Sequence, residues 1–350
     1  MLLCQAAMIR AVGDGYAAGM SGLAVNLPRF PLLDGPSPLA PLTRLSAELG
    51  ARAEIWIKRE DLLPLAFGGN KLRNLEFLVG AALADGADSL VTAGRRWSNH
   101  CRLTAAAGAV AGLQVHLVLS GPPTDPPNPG SRLDALLGAV VHHARTADRS
   151  ARDDLVAQVV ADLRDAGRRP YRIPVGGGGS IGATGQLLAA DEVMAQATAR
   201  GIAIDSIVLP SATGSTQAGL LAGLRAIGSP AAVVGVAVAH PTDELRPTIA
   251  SLLADLGETT GVRVDPAQIE LDGAELGPGY GRPTDAADEA TRLLARTEGI
   301  LVDPIYTAKA LAGLIRRVRE GRANGRTLVF WHAGGLPGLF EPQADPPRRL

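Results

Sequence analysis

Short apolar runs alternate with stretches of helical periodicity over most of the chain. The runs are rich in Val, Ile and Leu and lie at 54–58, 89–94, 114–121, 171–175, 206–211, 232–238 and 327–332. Strands that alternate with helices are typical of βαβ units, in which neighbouring strands pair in parallel. The pattern therefore predicts an α/β fold with largely parallel sheets.

Two of the intervening segments carry clear helical stripes. Leu72, Leu75, Val79 and Leu83 recur at spacings of three and four, which predicts a helix that starts near Lys71. A second stripe follows Tyr306 and consists of Ala310, Leu311, Leu314, Ile315 and Val318. Each stripe predicts a helix with one buried face.

The length of the chain bounds its organisation. At roughly 100 to 200 residues per domain, 350 residues predict two domains. Residues 1–25 show no sustained periodicity and are interpreted as a loosely ordered leader. GPPTDPPNPG at 121–130 is either an ordered loop or a linker, whereas VGGGGSIGATG at 175–185 predicts a tight strand-to-helix loop.

Charge and composition argue against several classes of protein. Thirty-four basic residues against 35 acidic ones leave a net charge of -1, so we expect neither nucleic acid nor an anionic membrane as a partner. No apolar run reaches about 18 residues, and the first residues lack the charged region of a signal peptide, which favours the cytoplasm. Two cysteines, Cys4 and Cys101, cannot form a disulfide framework, and we expect no metal site.

Lysine is rare in this chain, with Lys58, Lys71 and Lys309 as the only three among 34 basic residues. Arginine stays protonated, whereas surrounding groups can make a lysine amine neutral and hence nucleophilic or basic. Lys71 follows a glycine pair at a predicted helix start, where the positive end of the helix disfavours the ammonium form and suits a Schiff base. The alternative is a solvated lysine in a turn, and Lys58 and Lys309 are interpreted as lysines left by drift.

The segment LPSATGSTQAGLLAGL (209–224) reads as a strand, a glycine turn and a helix. Gly214 would let a ligand approach the backbone, while hydroxyls and free helix amides would bind a phosphate. The hydroxyls belong to Thr213, Ser215 and Thr216. The segment is neither a Walker A loop nor a GxGxxG loop, and a capped helix without ligand stays open as the alternative.

A third loop, WSNH at 97–100, precedes an alanine-rich helical pattern. Ser98 is predicted to cap this helix, and Asn99 is free to reach a ligand. By itself the motif indicates a helix cap rather than a site.

Seven motifs, in the same order, resemble those of the D-cysteine desulfhydrase and 1-aminocyclopropane-1-carboxylate (ACC) deaminase family of pyridoxal phosphate (PLP) enzymes. Between about Pro28 and Phe340 they are KREDLLPLAFGGNKLRNLEFL, TAGRRWSNHCRLTAAA, IPVGGGGSIGATG, TGSTQAGL, GPGYGRPTDAA, EGILVDPIYTAKALAGLI and WHAGGLPGLF. The resemblance implies the tryptophan synthase β-like fold (fold type II) and a homodimer. PLP would lie between a large domain, 26–70 and 180–350, and a small domain, 71–179.

The resemblance also implies which residues hold the cofactor. Lys71 matches the Schiff-base lysine, and Asn99 matches the residue that hydrogen-bonds the cofactor's ring hydroxyl. The phosphate would be bound by Thr213, Gly214, Ser215 and Thr216.

The resemblance also implies which residues contact the substrate. Ser98, Asn99 and His100 lie where the family binds the substrate carboxylate, and Tyr280 and Tyr306 match tyrosines that face the substrate. Half-buried packing is the alternative role of each tyrosine. Lys71, Ser98, Tyr280 and Tyr306 are the implied catalytic residues.

This sequence departs from the family at the pocket wall and at the ring nitrogen. Arg95, Arg96 and Trp97 replace small or apolar residues and a glutamine before SNH, and we expect Arg96 and Trp97 to contact the substrate. Thr307 stands where the desulfhydrases have threonine and ACC deaminases a glutamate that partners the ring nitrogen. Ala333 replaces a second desulfhydrase threonine, so the ring-nitrogen partner of neither group is complete. A ring nitrogen held by the Thr307 hydroxyl would stay neutral, which favours elimination over racemisation.

The implied reaction is β-elimination from a small amino acid, with Lys71 as the base at Cα and a 2-oxo acid and ammonia as products. ACC ring opening, β-replacement and a PLP-binding protein with weak catalysis stay open. L-cysteate sulfo-lyases, which resemble this family, suggest another alternative, in which Arg95 and Arg96 pair with a sulfonate or a second carboxylate.

Overall fold

The computed structural model describes residues 25–125 and 127–341, so all but the last residue of the predicted leader lie outside it. Within these ranges the strands are β1 (Leu39–Pro41), β2 (Glu54–Arg59), β3 (Ser89–Arg95), β4 (Gln114–Ser120), β5 (Val140–His143), β6 (Pro170–Arg172), β7 (Ser206–Ser211), β8 (Ala232–Ala237), β9 (Glu270–Asp272) and β10 (Thr327–His332).

The helices of the same ranges lie between these strands. They are α1 (Thr43–Glu48), α2 (Lys71–Ala84), α3 (Asn99–Ala111), α4 (Pro129–Leu136), α5 (Arg149–Asp165), α6 (Gly179–Ala199), α7 (Ser215–Ala226), α8 (Thr242–Thr260), α9 (Asp285–Glu298) and α10 (Thr307–Arg319). Short 3-10 helices at 60–62, 175–177, 266–268 and 336–340 complete the elements. None of the helices in the described ranges is long and apolar enough to cross a membrane.

The strands form two sheets. One has the order β1-β2-β10-β7-β8-β9 and the other the order β5-β4-β3-β6. Only the edge strand β1 pairs antiparallel, with β2, whereas the other described pairs are parallel. The α/β prediction is confirmed, and the domain boundaries stay a prediction that this division of strands supports.

The larger sheet is buried on both faces because its neighbouring residues alternate between two cores. Val329 and Trp331 belong to the core under α6, α7 and α8, while Leu328 and Phe330 belong to the core under α1, α9 and α10. Side chains of a strand point alternately to the two faces, so a strand buried on both sides reads as a continuous apolar run. This explains why the pattern of apolar runs predicted these strands.

Glycines bring three helices into backbone contact beside the larger sheet. A Cβ on Gly219 or Gly223 of α7 would lie 2.3 Å from the Ala183 carbonyl oxygen or 2.2 Å from that of Leu187, both in α6. A Cβ on Gly185 of α6 would lie 2.0 Å from the Arg73 carbonyl oxygen in α2. Any larger residue would separate these helices, so the glycines fix the start of α2 relative to the start of α7.

The interpretation of Lys58 and Lys309 as drift is wrong, since both side chains are fully buried and hydrogen-bonded. The Lys58 amine donates to the Ser37 carbonyl (2.6 Å) and to Gln196 Oε1 (2.7 Å) and pairs with the Glu192 carboxylate. The Lys309 amine donates to the carbonyl oxygens of Leu276 (2.8 Å) and Gly279 (3.3 Å). Both lysines therefore have structural roles.

Candidate active site

A cavity of about 540 Å³ opens at the carboxyl ends of strands from both sheets. Residues at or just after the ends of β3, β4, β7 and β10 line it, namely Arg95, Ser120, Ser211 and Ala333. Crevices at the carboxyl ends of parallel strands are where α/β proteins bind ligands, because loops and helix N-termini converge there.

The cavity brings together most of the residues that the sequence analysis selected. They are Lys71, Ser98, Asn99, His100, Thr213, Gly214, Thr216, Tyr280, Tyr306 and Thr307. Three selected residues lie outside its lining, namely Ser215, Arg96 and Trp97.

Lys71 is the first residue of α2 and carries its amine into the cavity. Burial lowers the pKa of this amine to about 8 from an ordinary value of 10.5. The effect of the helix terminus, which the sequence analysis invoked, is not needed to explain this value. No hydrogen bond or ion pair among the described residues uses the amine, so it is free to react. With a pKa of about 8 the amine is mostly protonated at pH 7, but its neutral fraction is far larger than that of an ordinary lysine.

The predicted anion-binding turn is present at the start of α7. Gly214 precedes the helix with a φ of 81°, and the amides of Ser215, Thr216 and Gln217 donate to no acceptor in the described part of the chain. Unpaired amides at a helix start form an anion site, and Thr213 and Thr216 add hydroxyls at the cavity wall. Ser215 does not, because its buried hydroxyl faces Asn74 Nδ2 at 3.4 Å.

Gly214 is also required by packing and backbone geometry. A Cβ at this position would lie 2.6 Å from Ile249 Cγ1 of α8 and would occupy left-handed backbone. Any larger residue would thus clash with the protein core, whereas the role of Gly214 in the approach of a phosphate stays a prediction.

Side-chain amides join the Lys71 turn to the anion site. Asn70 Nδ2 donates to Thr216 Oγ1 at 2.9 Å, and Gln186 Nε2 donates to the Asn70 carbonyl at 2.8 Å and to Asn74 Oδ1 at 2.7 Å. The loop before Lys71 and the start of α7 are therefore held at a fixed separation. Asn70, Asn74 and Gln186 were not predicted, because no pattern in the sequence links residues so far apart.

The SNH loop begins α3 as predicted. Ser98 caps the helix, since its hydroxyl oxygen accepts from the Cys101 amide at 3.2 Å, and the amides of Asn99 and His100 have no acceptor among the described residues. Burial first, and then the Lys71 charge, lower the pKa of His100 to about 3, so His100 is neutral. The Thr92 hydroxyl donates to the Ile173 carbonyl, which leaves its oxygen to accept from His100 Nε2 at 2.9 Å.

Arg102 sets the orientation of Asn99. Its Nη1 donates to Asn99 Oδ1 at 2.6 Å, so the Asn99 NH₂ group remains as a donor toward the cavity. Arg102 also donates to the carbonyl oxygens of Ala66 (2.9 Å) and Gly68 (3.2 Å) in the loop before Lys71. The sequence analysis missed Arg102, since nothing distinguishes it from the many other arginines.

Tyr280 and Tyr306 meet at the cavity, where their hydroxyl groups form a hydrogen bond and their ring centroids lie 5.9 Å apart. Burial raises the pKa of Tyr280 and, together with its tyrosine neighbour, raises that of Tyr306 well above the ordinary value. Both therefore act as neutral phenols, which donate and accept protons.

Asp303, which the sequence analysis also missed, fixes the start of α10. Its carboxylate accepts from the amides of Ile305 (3.0 Å), Tyr306 (2.7 Å) and Thr307 (3.0 Å) and from the Thr307 hydroxyl. Because that hydroxyl proton is used here, Thr307 presents only an acceptor to the cavity. Thr307 would have to turn its hydroxyl proton away from Asp303 to donate to a ring nitrogen, and the expectation that it holds the ring nitrogen stays a prediction.

The two arginines before SNH lie on different sides of a turn. The Ser98 amide donates to the Arg95 carbonyl at 2.9 Å, which brings the first and fourth residues together at the cavity. Arg96, the second residue, lies outside, with its guanidinium 5.2 Å from the Trp97 ring centroid. Trp97 packs beside Tyr280, with ring centroids 6.3 Å apart, and so shapes the wall from behind.

The groups at this cavity fit PLP. The α7 amides and the Thr213 and Thr216 hydroxyls suit a phosphate, the Lys71 amine suits an aldehyde, and the Asn99 NH₂ suits a ring oxygen.

Comparisons with known proteins agree with this chemistry. The family model described as pyridoxal-phosphate dependent enzyme matches residues 31–334. The chain is 42% identical over 321 residues to a D-cysteine desulfhydrase of Salmonella choleraesuis (strain SC-B67), covering 90% of this chain and 96% of the relative. For a D-cysteine desulfhydrase of Yersinia pestis (strain Pestoides F) the identity is 40% over 322 residues, with 90% and 96% covered. A solved structure of an ACC deaminase homologue has a TM-score of 0.84 and 34% identity, covering 90% of this chain and 94% of that one.

Proposed function

The chain belongs to the family of pyridoxal-phosphate-dependent enzymes, and we propose that it is a carbon-sulfur lyase that converts a small β-substituted amino acid into a 2-oxo acid and ammonia. D-cysteine is the substrate that the names of its relatives suggest. The observation that carries the proposal is one cavity in which a desolvated Lys71 amine and the Tyr280–Tyr306 pair lie beside an anion site.

Lys71 removes the proton from the substrate Cα in this proposal. Its pKa of about 8 leaves it poised near neutral pH, where an efficient general base has its pKa. PLP, when bound, supplies the electron sink for the resulting carbanion. The hydrogen bonds of Asn70 with Thr216 and Gln186 hold the Lys71 turn at a fixed distance from the proposed phosphate site.

The substrate carboxylate binds at the start of α3. The Asn99 and His100 amides are unpaired, and the Ser98 hydroxyl keeps its proton because its oxygen accepts from Cys101. Neutral His100 adds no charge of its own. The site therefore binds a carboxylate through neutral donors.

The tyrosine pair delivers a proton to the leaving group. Because the two phenols are hydrogen-bonded to each other, one can donate to sulfur while the other takes part in replacing that proton. Asp303 holds Tyr306 in place through its backbone amide.

Product analysis tests this function. Purified holoenzyme with D-cysteine should release pyruvate, ammonia and sulfide in equal amounts, whereas a new coupled amino acid would mean β-replacement. Tyr306→Phe should keep the cofactor and lose about 100-fold or more in turnover, as loss of a general acid does. Wild-type turnover in Tyr306→Phe would make this tyrosine a packing residue.

The proposal includes a homodimer in the cytoplasm. Leu62 and Phe67, which are 55% and 59% exposed, lie in the segment before the Lys71 turn and supply apolar surface for a partner. Cys101 is buried and unpaired, with a pKa that burial raises to about 12, so it is an unreactive thiol suited to a reducing compartment. Sedimentation equilibrium of the purified protein tests the dimer.

A further inference from the structure

The Arg95 guanidinium is a charge without a counter-ion at the cavity wall. Among the described residues its contacts are aromatic faces, with Tyr280 at 5.1 Å and Trp97 at 5.7 Å from its central carbon. No carboxylate of the described chain forms an ion pair with it. Stacked rings hold the plane of a guanidinium without neutralising its charge, so its N–H groups remain available to an anion.

The acidic residues of the same cavity are already paired with other groups. Asp153 accepts from Arg152 at 3.0 Å, and Glu244 lies 3.3 Å from His240. Arg149 and Arg152 also line the cavity, so cationic side chains predominate on this wall. An uncompensated guanidinium in a partly buried site is costly unless a ligand supplies the counter-charge.

Arg96 also stacks on the Trp97 ring but differs from Arg95 in its position. It does not line the cavity. Burial raises the pKa of the Glu341 carboxyl, and the nearby charge of Arg96 partly opposes this increase, so Arg96 has an acidic neighbour. Although adjacent in sequence, the two arginines thus provide a test residue and a matched control.

Arg95 lies where the side chain of a bound substrate would be in this proposal. The β-turn places it beside Ser98, where the α-carboxylate binds, and its guanidinium lies over Tyr280, which faces the leaving group. We propose that the substrate carries a sulfonate on its β-carbon and that Arg95 binds it. This inference rests on the proposed function, because it places the substrate by that function's residues.

A β-sulfonate fits the proposed chemistry without a further reactant. Lys71 removes the Cα proton, the Cβ–S bond breaks, and sulfite leaves with the bonding electron pair. Water then hydrolyses the remaining enamine, so one cysteate and one water give one pyruvate, one ammonia and one bisulfite. No oxidant or reductant is needed.

Binding of amino acids that lack a leaving group tests the inference apart from turnover. Aspartate and alanine, each as both enantiomers, are titrated into wild-type holoenzyme while the visible absorption of the cofactor is followed. One enantiomer of aspartate should bind at least about 10-fold more tightly than alanine, as expected for a charge-assisted hydrogen bond. Equal or weaker binding of aspartate would overturn the inference.

Two variants then assign the preference to a residue. Arg95→Gln should remove the aspartate preference and lower the ratio of kcat/KM for cysteate to that for cysteine by about 10- to 100-fold. Arg96→Gln should leave both quantities within about 2-fold of wild type. An equal effect of Arg95→Gln on acidic and neutral amino acids contradicts the inference. If aspartate is preferred but no amino acid yields a 2-oxo acid, the role of Arg95 stands and the proposed elimination fails.

Discussion

The amine of Lys71 differs from those of Lys58 and Lys309 in its surroundings. The other two donate to carbonyl or carboxylate oxygens, whereas Lys71 has no hydrogen-bond partner among the described residues. Desolvation without compensation lowers the pKa of Lys71, because the charged form loses water and gains nothing in return. Burial also lowers the pKa of Lys309 to about 8 and lowers that of Lys58. Lys71 therefore differs from the other two lysines by an amine that lines the cavity without a hydrogen-bond partner among the described residues, and not by its pKa.

A pH prediction follows at this residue. Only the neutral amine attacks an aldehyde, so the rate at which apoenzyme takes up PLP should rise with pH and level off above a midpoint near 8. Stopped-flow absorbance from pH 6 to about 10 measures this rate. A rate that keeps rising up to about pH 10.5, the ordinary lysine value, would contradict the assigned environment.

Sequence patterns identify elements well where one apolar run forms one buried strand. Each of the seven apolar runs contains a strand, although β6 includes only the first two residues of the run at 171–175, and the helices after Lys71 and Tyr306 begin where the stripes predicted. The strands β1, β5 and β9 were not predicted, since these short strands, unlike β6, lie outside the apolar runs.

The residues of the site also fall into two groups, those that local motifs reveal and those that they do not. Local motifs such as GGNK, SNH and TGST led to the lysine at the cavity, to the helix cap and to the unpaired amides at the start of α7 in the described chain. Asp303, Arg102 and Gln186 act through contacts with residues that sequence spacing did not connect to the site. Whether Arg95 or Arg96 lies at the cavity depends on the direction of the β-turn at 95–98. Two adjacent arginines in a sequence do not reveal that direction.

Lys309 links helix α10 to the loop that carries Tyr280. Its amine binds the carbonyl oxygens of Leu276 and Gly279, immediately before Tyr280. The same helix begins at Thr307, directly after Tyr306. One helix thus positions both members of the tyrosine pair.

Lys309→Met should loosen that loop, because two carbonyl groups lose a charged donor. We expect the free energy of unfolding to fall by about 1–3 kcal/mol and turnover to fall with the cofactor still bound. Amide hydrogen exchange should increase at 276–281 more than within α10 itself. Unchanged exchange at 276–281 would show that Lys309 does not hold the loop.

At the scale of the whole molecule, a buried charge cluster joins elements that surround the site. Arg73 of α2 pairs with Glu60 at 2.6 Å and with Glu192 of α6 at 2.9 Å, and Glu192 also pairs with Lys58 of β2. Burial alone would raise the pKa of Glu192, but Arg73 and Lys58 lower it to about 2. The cluster therefore connects a sheet strand to the helix that begins with Lys71.

Glu192→Gln should lower the free energy of unfolding by about 3–5 kcal/mol, since it leaves buried cations without a partner. Because the folded pKa lies below the ordinary 4.5, this contribution is complete above about pH 4.5 and is lost as pH falls toward 2. Glu289→Gln, which breaks an exposed pair with Arg319, is the control and should cost less than about 1 kcal/mol. Urea unfolding of both variants measures the difference, and equal losses would refute a special role for the cluster.

The account as a whole depends on the cofactor being attached to Lys71. Holoenzyme reduced with borohydride and digested should yield one peptide that carries the reduced cofactor, and mass spectrometry should locate it at Lys71. The neighbouring Asn70 and Leu72 make that peptide unambiguous. Cofactor on Lys58 or Lys309, or no labelled peptide from a yellow protein, would contradict the assignment of this cavity as the active site.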